Sequence, residues 1–284
     1  MSSHPQLRVG LIGAGRAGTV VARALERAGH PCVAVDAISD AAKTRVATLL
    51  PSADIKDAVG VCAAADLLLI AVPDSAITTV TDGLVNAGAL TERHIVMHLS
   101  GAHGTAALAA AAGVGALVIA AHPAMTLHGR SEDVARLQHC PFAITAEGNA
   151  LTVAQALVIE IGGEPVVIAE RDRVIYHAAL AHASNHSVTL LAQSMELLRA
   201  IGVDQPGELL RQLVTASVDG ALRDGDAALT GPIARGDFAT VRAHLDALAD
   251  QRGSTRASYV AMARATVERQ RRILDEDTEK ALDA

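Results

Sequence analysis

The chain is poor in aromatic side chains: its 284 residues include two Phe, two Tyr and no Trp. A ligand held by stacking on aromatic rings is therefore not expected, and the interior of a sequence that is 50% hydrophobic must be built from Ala, Val, Leu and Ile. Lysine is as scarce, limited to Lys43, Lys56 and Lys280. A formal charge of −7 and the lack of any block of Lys or Arg argue against a nucleic-acid surface. The stretch Arg264 to Arg272 is locally basic, but Glu268 and apolar residues interrupt it, as on a solvated helix face. Cys32, Cys62 and Cys140 form no pair at metal-ligand spacing; a reducing compartment fits them, two of them reading as small core residues. The Ala-rich run Ala106 to Ala121 is broken by Gly113 and Gly115 and falls short of the roughly 20 residues a membrane span needs. Met1 to Gln6 lack the basic-then-apolar pattern of a leader. A soluble cytoplasmic protein with no membrane partner is expected.

What is present is a glycine loop. Arg8 to Gly18 read RVGLIGAGRAG, with Gly13, Gly15 and Gly18 directly after a short apolar strand and at the mouth of a helical stretch, Thr19 to Ala28. The first glycine allows a tight turn, the second lets backbone approach a pyrophosphate, and the third lets helix and sheet pack closely. Arg16 and Ala17 complete the loop, where the helix start meets the phosphates with unpaired N–H groups. The next strand, from Pro31, ends at Asp36, eighteen positions after Gly18. Its carboxylate suits the ribose 2′-OH and repels a 2′-phosphate, and Ala37-Ile38-Ser39 supply no arginine, so NADH is favoured slightly over NADPH. The alternative reading of Asp36 is a plain turn residue.

Short apolar strands recur at Val9–Ile12, Val33–Val35, Leu67–Val72, Ile95–Leu99 and Ala116–Ala120, with two more at Phe142–Thr145 and Pro165–Ile168 around a helix near Leu151–Ile161. Continuous Val, Leu and Ile runs of this length predict an α/β fold with a doubly wound, mostly parallel Rossmann sheet covered on both faces. After Glu170 the pattern is helical: one segment to about Ala200, then Glu208–Leu222, Phe238–Asp250 and Ser254 to about Asp275. The interruptions are Gly202, Pro206-Gly207 and the stretch Gly225 to Gly236. Residues 1–170 are expected to form the dinucleotide domain and 171–284 an all-helical substrate and dimerisation domain, with a frayed polar end from Asp275.

Ligands of open α/β sheets bind beyond the carboxyl ends of the strands. Those ends read Val72-Pro73-Asp74-Ser75, His98-Leu99-Ser100-Gly101-Ala102 and His122-Pro123. Val72 and Pro73 are assigned to the cofactor. Ser100, with the N–H groups of Gly101 and Ala102, either holds a substrate oxygen or the nicotinamide amide, or satisfies its own turn. His98 reads as a satisfied core histidine, and His122 as a rim residue that either touches ligand or does not. On the long helix, His177, Ala181, Ser184 and Asn185 share one face at about 100° per residue. Such a small polar stripe suits a helix lining a cleft, with His177 as proton donor and Asn185 as a hydrogen-bonding clamp; the alternative is that both satisfy buried backbone. His182 and His186, four apart, lack a third ligand, so no metal site is assigned. In Thr230-Gly231-Pro232-Ile233-Ala234-Arg235-Gly236-Asp237, Asp237 reads as a helix cap and Arg235 as either a fork for a substrate carboxylate or half of a surface ion pair.

The order of these motifs resembles a bacterial family of Rossmann-like reductases whose C-terminal domain has no assigned function, over about residues 7–250. That family sits in the 6-phosphogluconate dehydrogenase-like superfamily, beside pyrroline-5-carboxylate, 3-hydroxyisobutyrate and ketopantoate enzymes. The resemblance implies hydride transfer between NAD(P)H and a small carboxylate-bearing carbonyl, imine or alcohol, and a homodimer joined through the helical domains. It implies a catalytic lysine four residues before Asn185, yet that position is Ala181. His177 is then the best proton donor, backed by Ser184 or water, while Arg235 holds a carboxylate, and Ser100 and Asn185 orient the reacting oxygen of a 2-oxo acid such as ketopantoate. The other readings are a dinucleotide-binding sensor or scaffold without catalysis, and a deazaflavin-linked oxidoreductase.

Overall fold

The computed structural model describes residues 6–249 and 253–282. Its strands are β1 (Val9–Ile12), β2 (Cys32–Asp36), β3 (Asp54–Ile55), β4 (Leu67–Ile70), β5 (Ile95–His98), β6 (Leu117–Pro123), β7 (Pro141–Thr145) and β8 (Glu164–Val167). They form one sheet in the order β3-β2-β1-β4-β5-β6-β7-β8. Every pairing is parallel except β6 with β7, where His122 faces Ala143 in antiparallel register. The expected mostly parallel, doubly wound sheet is what forms. β3 was not expected, because its two residues are exposed and carry no apolar run. β6 runs three residues past the expected end at Ala120, so His122 lies within the strand.

Alternate residues of the inner strands enter two cores. Val9 and Leu11 of β1 and Leu67 and Leu69 of β4 pack on one face, and Ile12, Leu68 and Ile70 pack on the other. Each is within 1% of complete burial, and burying a Leu or Ile side chain stabilises by roughly 1.5–3 kcal/mol. This is why the strands carry no polar alternation. The helices that cover the sheet are α1 (Arg16–Arg27), α2 (Asp40–Leu49), α3 (Ala58–Ala64), α4 (Ile77–Asn86), α5 (Ala109–Gly113), α6 (Ser131–Ala135) and α7 (Gly148–Glu160). All three cysteine thiols are free and buried, and burial pushes Cys32 up to about 12 and Cys62 to about 11.

From Arg173 on, the described chain is helical: α8 (Arg173–Ala200), α9 (Pro206–Asp224), α10 (Phe238–Ala247) and α11 (Thr255–Leu282). The molecule divides into two compact units, Met1–His182 and Ala183–Ala284, so the division falls inside α8. Polar contacts tie the second unit together: Gln193 of α8 donates to Ser254 and Ser258, His244 of α10 meets the Tyr259 hydroxyl at 2.8 Å, and Arg269 pairs with Asp226 at 2.8 Å. α11 continues through Leu282, past the expected fraying at Asp275; Asp283 and Ala284, like Asp250, lie outside the described residues. Among the described residues, no helix is long and apolar enough to cross a membrane.

Candidate functional site

The loop between β1 and α1 has the shape a diphosphate needs. Gly13 holds φ at +88°, a left-handed conformation that favours glycine, and a Cβ there would meet the Ala71 carbonyl at 2.8 Å and Val72 Cγ1 at 2.9 Å. A Cβ on Gly18 would come within 2.9 Å of Leu11 Cδ1 and 2.5 Å of Ala71 Cβ, so its absence brings α1 onto the sheet. Gly15 is open on its side-chain face, with only the Ala71 carbonyl oxygen at 3.6 Å. Gly15 also caps α1 without a side-chain acceptor, which leaves the N–H groups at the start of that helix, beside Arg16 and Ala17, for an anion. Arg45 of α2 braces the loop by donating to the Ala14 carbonyl at 3.1 Å. Asp36 stands half-buried at the end of β2, opposite Ile12; burial, and then Asp57, raise its carboxyl above the usual range. Val72 and Pro73 follow β4 beside the loop. These features fit a dinucleotide.

The turn after β5 is pinned from three directions. His98 is fully buried and uses both ring nitrogens: Nδ1 accepts from the Ser100 N–H at 3.1 Å, and Nε2 donates to the Gly104 carbonyl at 2.9 Å. It is the satisfied core histidine the sequence suggested. Ser100 is buried as well, and its hydroxyl oxygen accepts from the His103 N–H at 3.2 Å, so it serves its own turn. Glu170 closes the far side, its carboxylate accepting from the Thr105 N–H at 2.8 Å and from the Thr105 hydroxyl at 3.2 Å. A Cβ on Gly104 would collide with that carboxylate.

The third brace is Arg173, in the first turn of α8 and 1% exposed. Its guanidinium donates to Thr145 Oγ1 at 2.7 Å, to the Ala120 and Ala143 carbonyls at 3.0 Å each, and to the Ser100 carbonyl at 3.3 Å. None of these acceptors is a carboxylate. Burial accordingly lowers its pKa from the ordinary arginine value, offset by Tyr176 and Glu170. Sequence reasoning missed Arg173 and Glu170, because Glu170-Arg171-Asp172-Arg173 has the composition of a solvated charge run.

Three predicted or neighbouring residues then meet over Gly101. A Cβ on Gly101 would lie 2.7 Å from His177 Cδ2 and 3.1 Å from His122 Nε2. The two imidazoles sit edge to face with centroids 6.2 Å apart. His122 Nδ1 is 2.9 Å from the Tyr176 hydroxyl. Burial drives the His122 pKa down to about 4, helped by His177 and Arg173 and opposed by Asp74. Burial also holds His98 at about 4. Tyr176, next to His177 in the sequence, was given no role by sequence reasoning.

The remaining expected residues belong to the second unit. Ser184 and Asn185 are exposed on α8, and Arg235 is exposed in the Gly231–Gly236 loop. Asp237 caps α10, accepting from the Thr240 N–H at 3.1 Å, as its flanking sequence suggested. Among the described residues, no group of three or more His, Cys, Asp or Glu is placed to hold a metal ion.

Comparison with known proteins divides the chain earlier, between residues 123 and 140, ahead of β7. Residues 2–123 match the Rossmann-like domain family, and residues 140–266 match a domain of unknown function, DUF2520. No curated protein matches the sequence. A candidate NADP oxidoreductase from Bacteroides fragilis is 22% identical with a TM-score of 0.78, the alignment covering 93% of this chain and 98% of that one. An imine reductase from Pseudomonas sp. is 20% identical with a TM-score of 0.67, covering 92% and 93%. A pyrroline carboxylate reductase from Plasmodium falciparum, solved with NADP bound, is 12% identical with a TM-score of 0.61, covering 94% and 100%.

Proposed function

We propose that this chain, which carries a Rossmann-like domain followed by a DUF2520 domain, is an NAD(P)H-dependent oxidoreductase that reduces a small carboxylate-bearing carbonyl compound. A 2-oxo acid such as ketopantoate is the first substrate to test. The observation that carries the reading is the convergence of His177 and His122 on Gly101, at the carboxyl edge of the sheet that also bears the glycine loop. The shared fold with proteins named imine reductase and pyrroline carboxylate reductase supports a reductase.

When bound at the loop, the reduced dinucleotide supplies a hydride to the carbonyl carbon. Gly13, Gly15, Arg16, Ala17 and Gly18 hold its diphosphate, Val72 and Pro73 border it, and Asp36 accepts from the adenosine ribose. His177 gives the proton that the carbonyl oxygen takes up as the carbon is reduced. Arg235 binds the substrate carboxylate, with Ser184 and Asn185 as hydrogen-bonding groups. Ser100 holds the loop that carries Gly101. Asp36 supports NADH over NADPH, and Asp36→Ala is expected to narrow the difference between their Kd values. The exposed Leu209 and Leu213, 59% and 65% accessible and one turn apart on α9, support a homodimer through the second unit, which sedimentation can measure. Buried free thiols support a reducing cytoplasm.

The decisive experiment follows NADH and NADPH oxidation against 2-oxo acids and cyclic imines. His177→Ala is expected to lower kcat/KM by roughly 100-fold with dinucleotide affinity little changed. Unchanged turnover would remove His177 from the chemistry. Tight dinucleotide binding with no turnover on any substrate would favour the sensor, a reading that Ala181 in the lysine position supports.

A further inference from the structure

His98, fully buried on β5, and His122, half-buried on β6, make opposite use of their nitrogens. Both nitrogens of His98 are spent on backbone, whereas His122 has a bond at Nδ1 only, and its Nε2 lies 3.1 Å from where a Cβ on Gly101 would stand. Among the described residues, Nε2 has no protein hydrogen-bond partner. From the geometry we infer that Tyr176 fixes His122 in the neutral form with its proton on Nε2, and that this N–H donates to the substrate carbonyl oxygen beside Gly101.

A phenol proton needs an acceptor, and His122 Nδ1 at 2.9 Å is the acceptor in reach. Burial raises the Tyr176 pKa, so the phenol keeps its proton and donates it. With Nδ1 occupied as an acceptor, a neutral imidazole carries its hydrogen on Nε2. The groups facing His122 are Tyr176, His177 and Arg173 from α8, His98 from β5 and Asp74 after β4; three of these, His177, Arg173 and His98, disfavour a positive charge on it. His122 therefore polarises the carbonyl as a neutral donor, and His177 transfers the proton. Two imidazoles 6.2 Å apart thereby take separate parts of one reduction. Tyr176 is a positioning residue that acts through His122. Gly101 is required because any Cβ would fill the space in front of Nε2.

This inference rests on the reductase reading, but its first test does not. Nitrogen-15 spectra of the full chain, with His122 assigned through His122→Gln, should show the Nε2–H form from pH 8 to pH 5. Tyr176→Phe should mix the two neutral forms and lower kcat by about 10-fold while KM changes little. His122→Gln should retain more activity than His122→Ala, since an amide N–H can replace the donor. A proton on Nδ1, or an imidazolium at pH 6, in an active enzyme would overturn this assignment and leave the reductase reading intact. Equal activity of His122→Gln and His122→Ala would do the same. No turnover on any carbonyl, with the Nε2–H form present, would overturn the reductase reading and the acceptor named here together.

Discussion

Arg173 Nε donates to Thr145 Oγ1 across 2.7 Å, and that hydroxyl passes the bond on to the Ile168 carbonyl at 2.6 Å. The start of α8 is thereby bonded to the end of β7 and to the segment leaving β8. The same guanidinium reaches the carbonyls of β6 and the turn after β5, so one side chain sets the spacing of the strand ends around Gly101.

Arg173→Met should therefore destabilise the fold by about 2–4 kcal/mol, since it leaves several buried acceptors unpaired. Arg173→Lys should recover part of that loss, because an ammonium keeps the charge but cannot span the planar fork of acceptors. Urea unfolding of the two variants tests this order. Equal stability of wild type and Arg173→Met would show that the carbonyls find other partners.

Gly101→Ala should leave the melting temperature close to wild type and lower turnover about 10-fold or more. Its Cβ would press on the His177 ring, at 2.7 Å, and not on backbone. A thermal melt and steady-state kinetics on the same preparation separate the two effects. Gly101 was legible in the sequence as a strand-end glycine, but its reason was not. The contact is with side chains far away in the sequence, on β6 and α8.

Stability should fall with acid from about pH 6.5 to about pH 4. His98 and His122 are both held at about 4, whereas the unfolded chain takes up those protons near 6.5. In that window the unfolded state binds more protons, so stability is lost as pH decreases, by at most roughly 1.4 kcal/mol per pH unit for buried His98 and by less for half-buried His122. Urea midpoints at pH 7, 6 and 5 should decline, and His122→Gln should decline less steeply. A slope shared by both proteins would mean that His122 titrates as a solvated group.

Gly18→Ala should cost about 1–3 kcal/mol through overpacking, and weaken dinucleotide binding by displacing the start of α1. The nearest obstacle is Ala71 Cβ at 2.5 Å, so Ala71→Gly added to Gly18→Ala should restore part of both. Calorimetry with NADH on the single and double variants decides; no rescue would place the conflict at Leu11 or at the Gly13 carbonyl instead.

The sheet was readable because its inner strands are continuous apolar runs, and the glycine loop because each glycine answers a local steric demand. β3 was hidden because two exposed residues make no pattern. His177 and His122 could be named as strand-end and helix residues, but not paired, since 55 positions separate them in the chain. Arg173 was invisible for a different reason. Burying a guanidinium requires acceptors supplied by two separate strands and a turn, and no neighbour in sequence announces them.

The sealed position of Cys32, Cys62 and Cys140 has a practical consequence. In the native chain these sulfurs are shielded and poorly ionised, so maleimide reagents should pass them by. One cysteine substituted on the surface, at Arg235 for instance, would then take up a fluorophore alone. Without tryptophan to interfere, emission from that dye and from NADH could be followed together in a single cuvette.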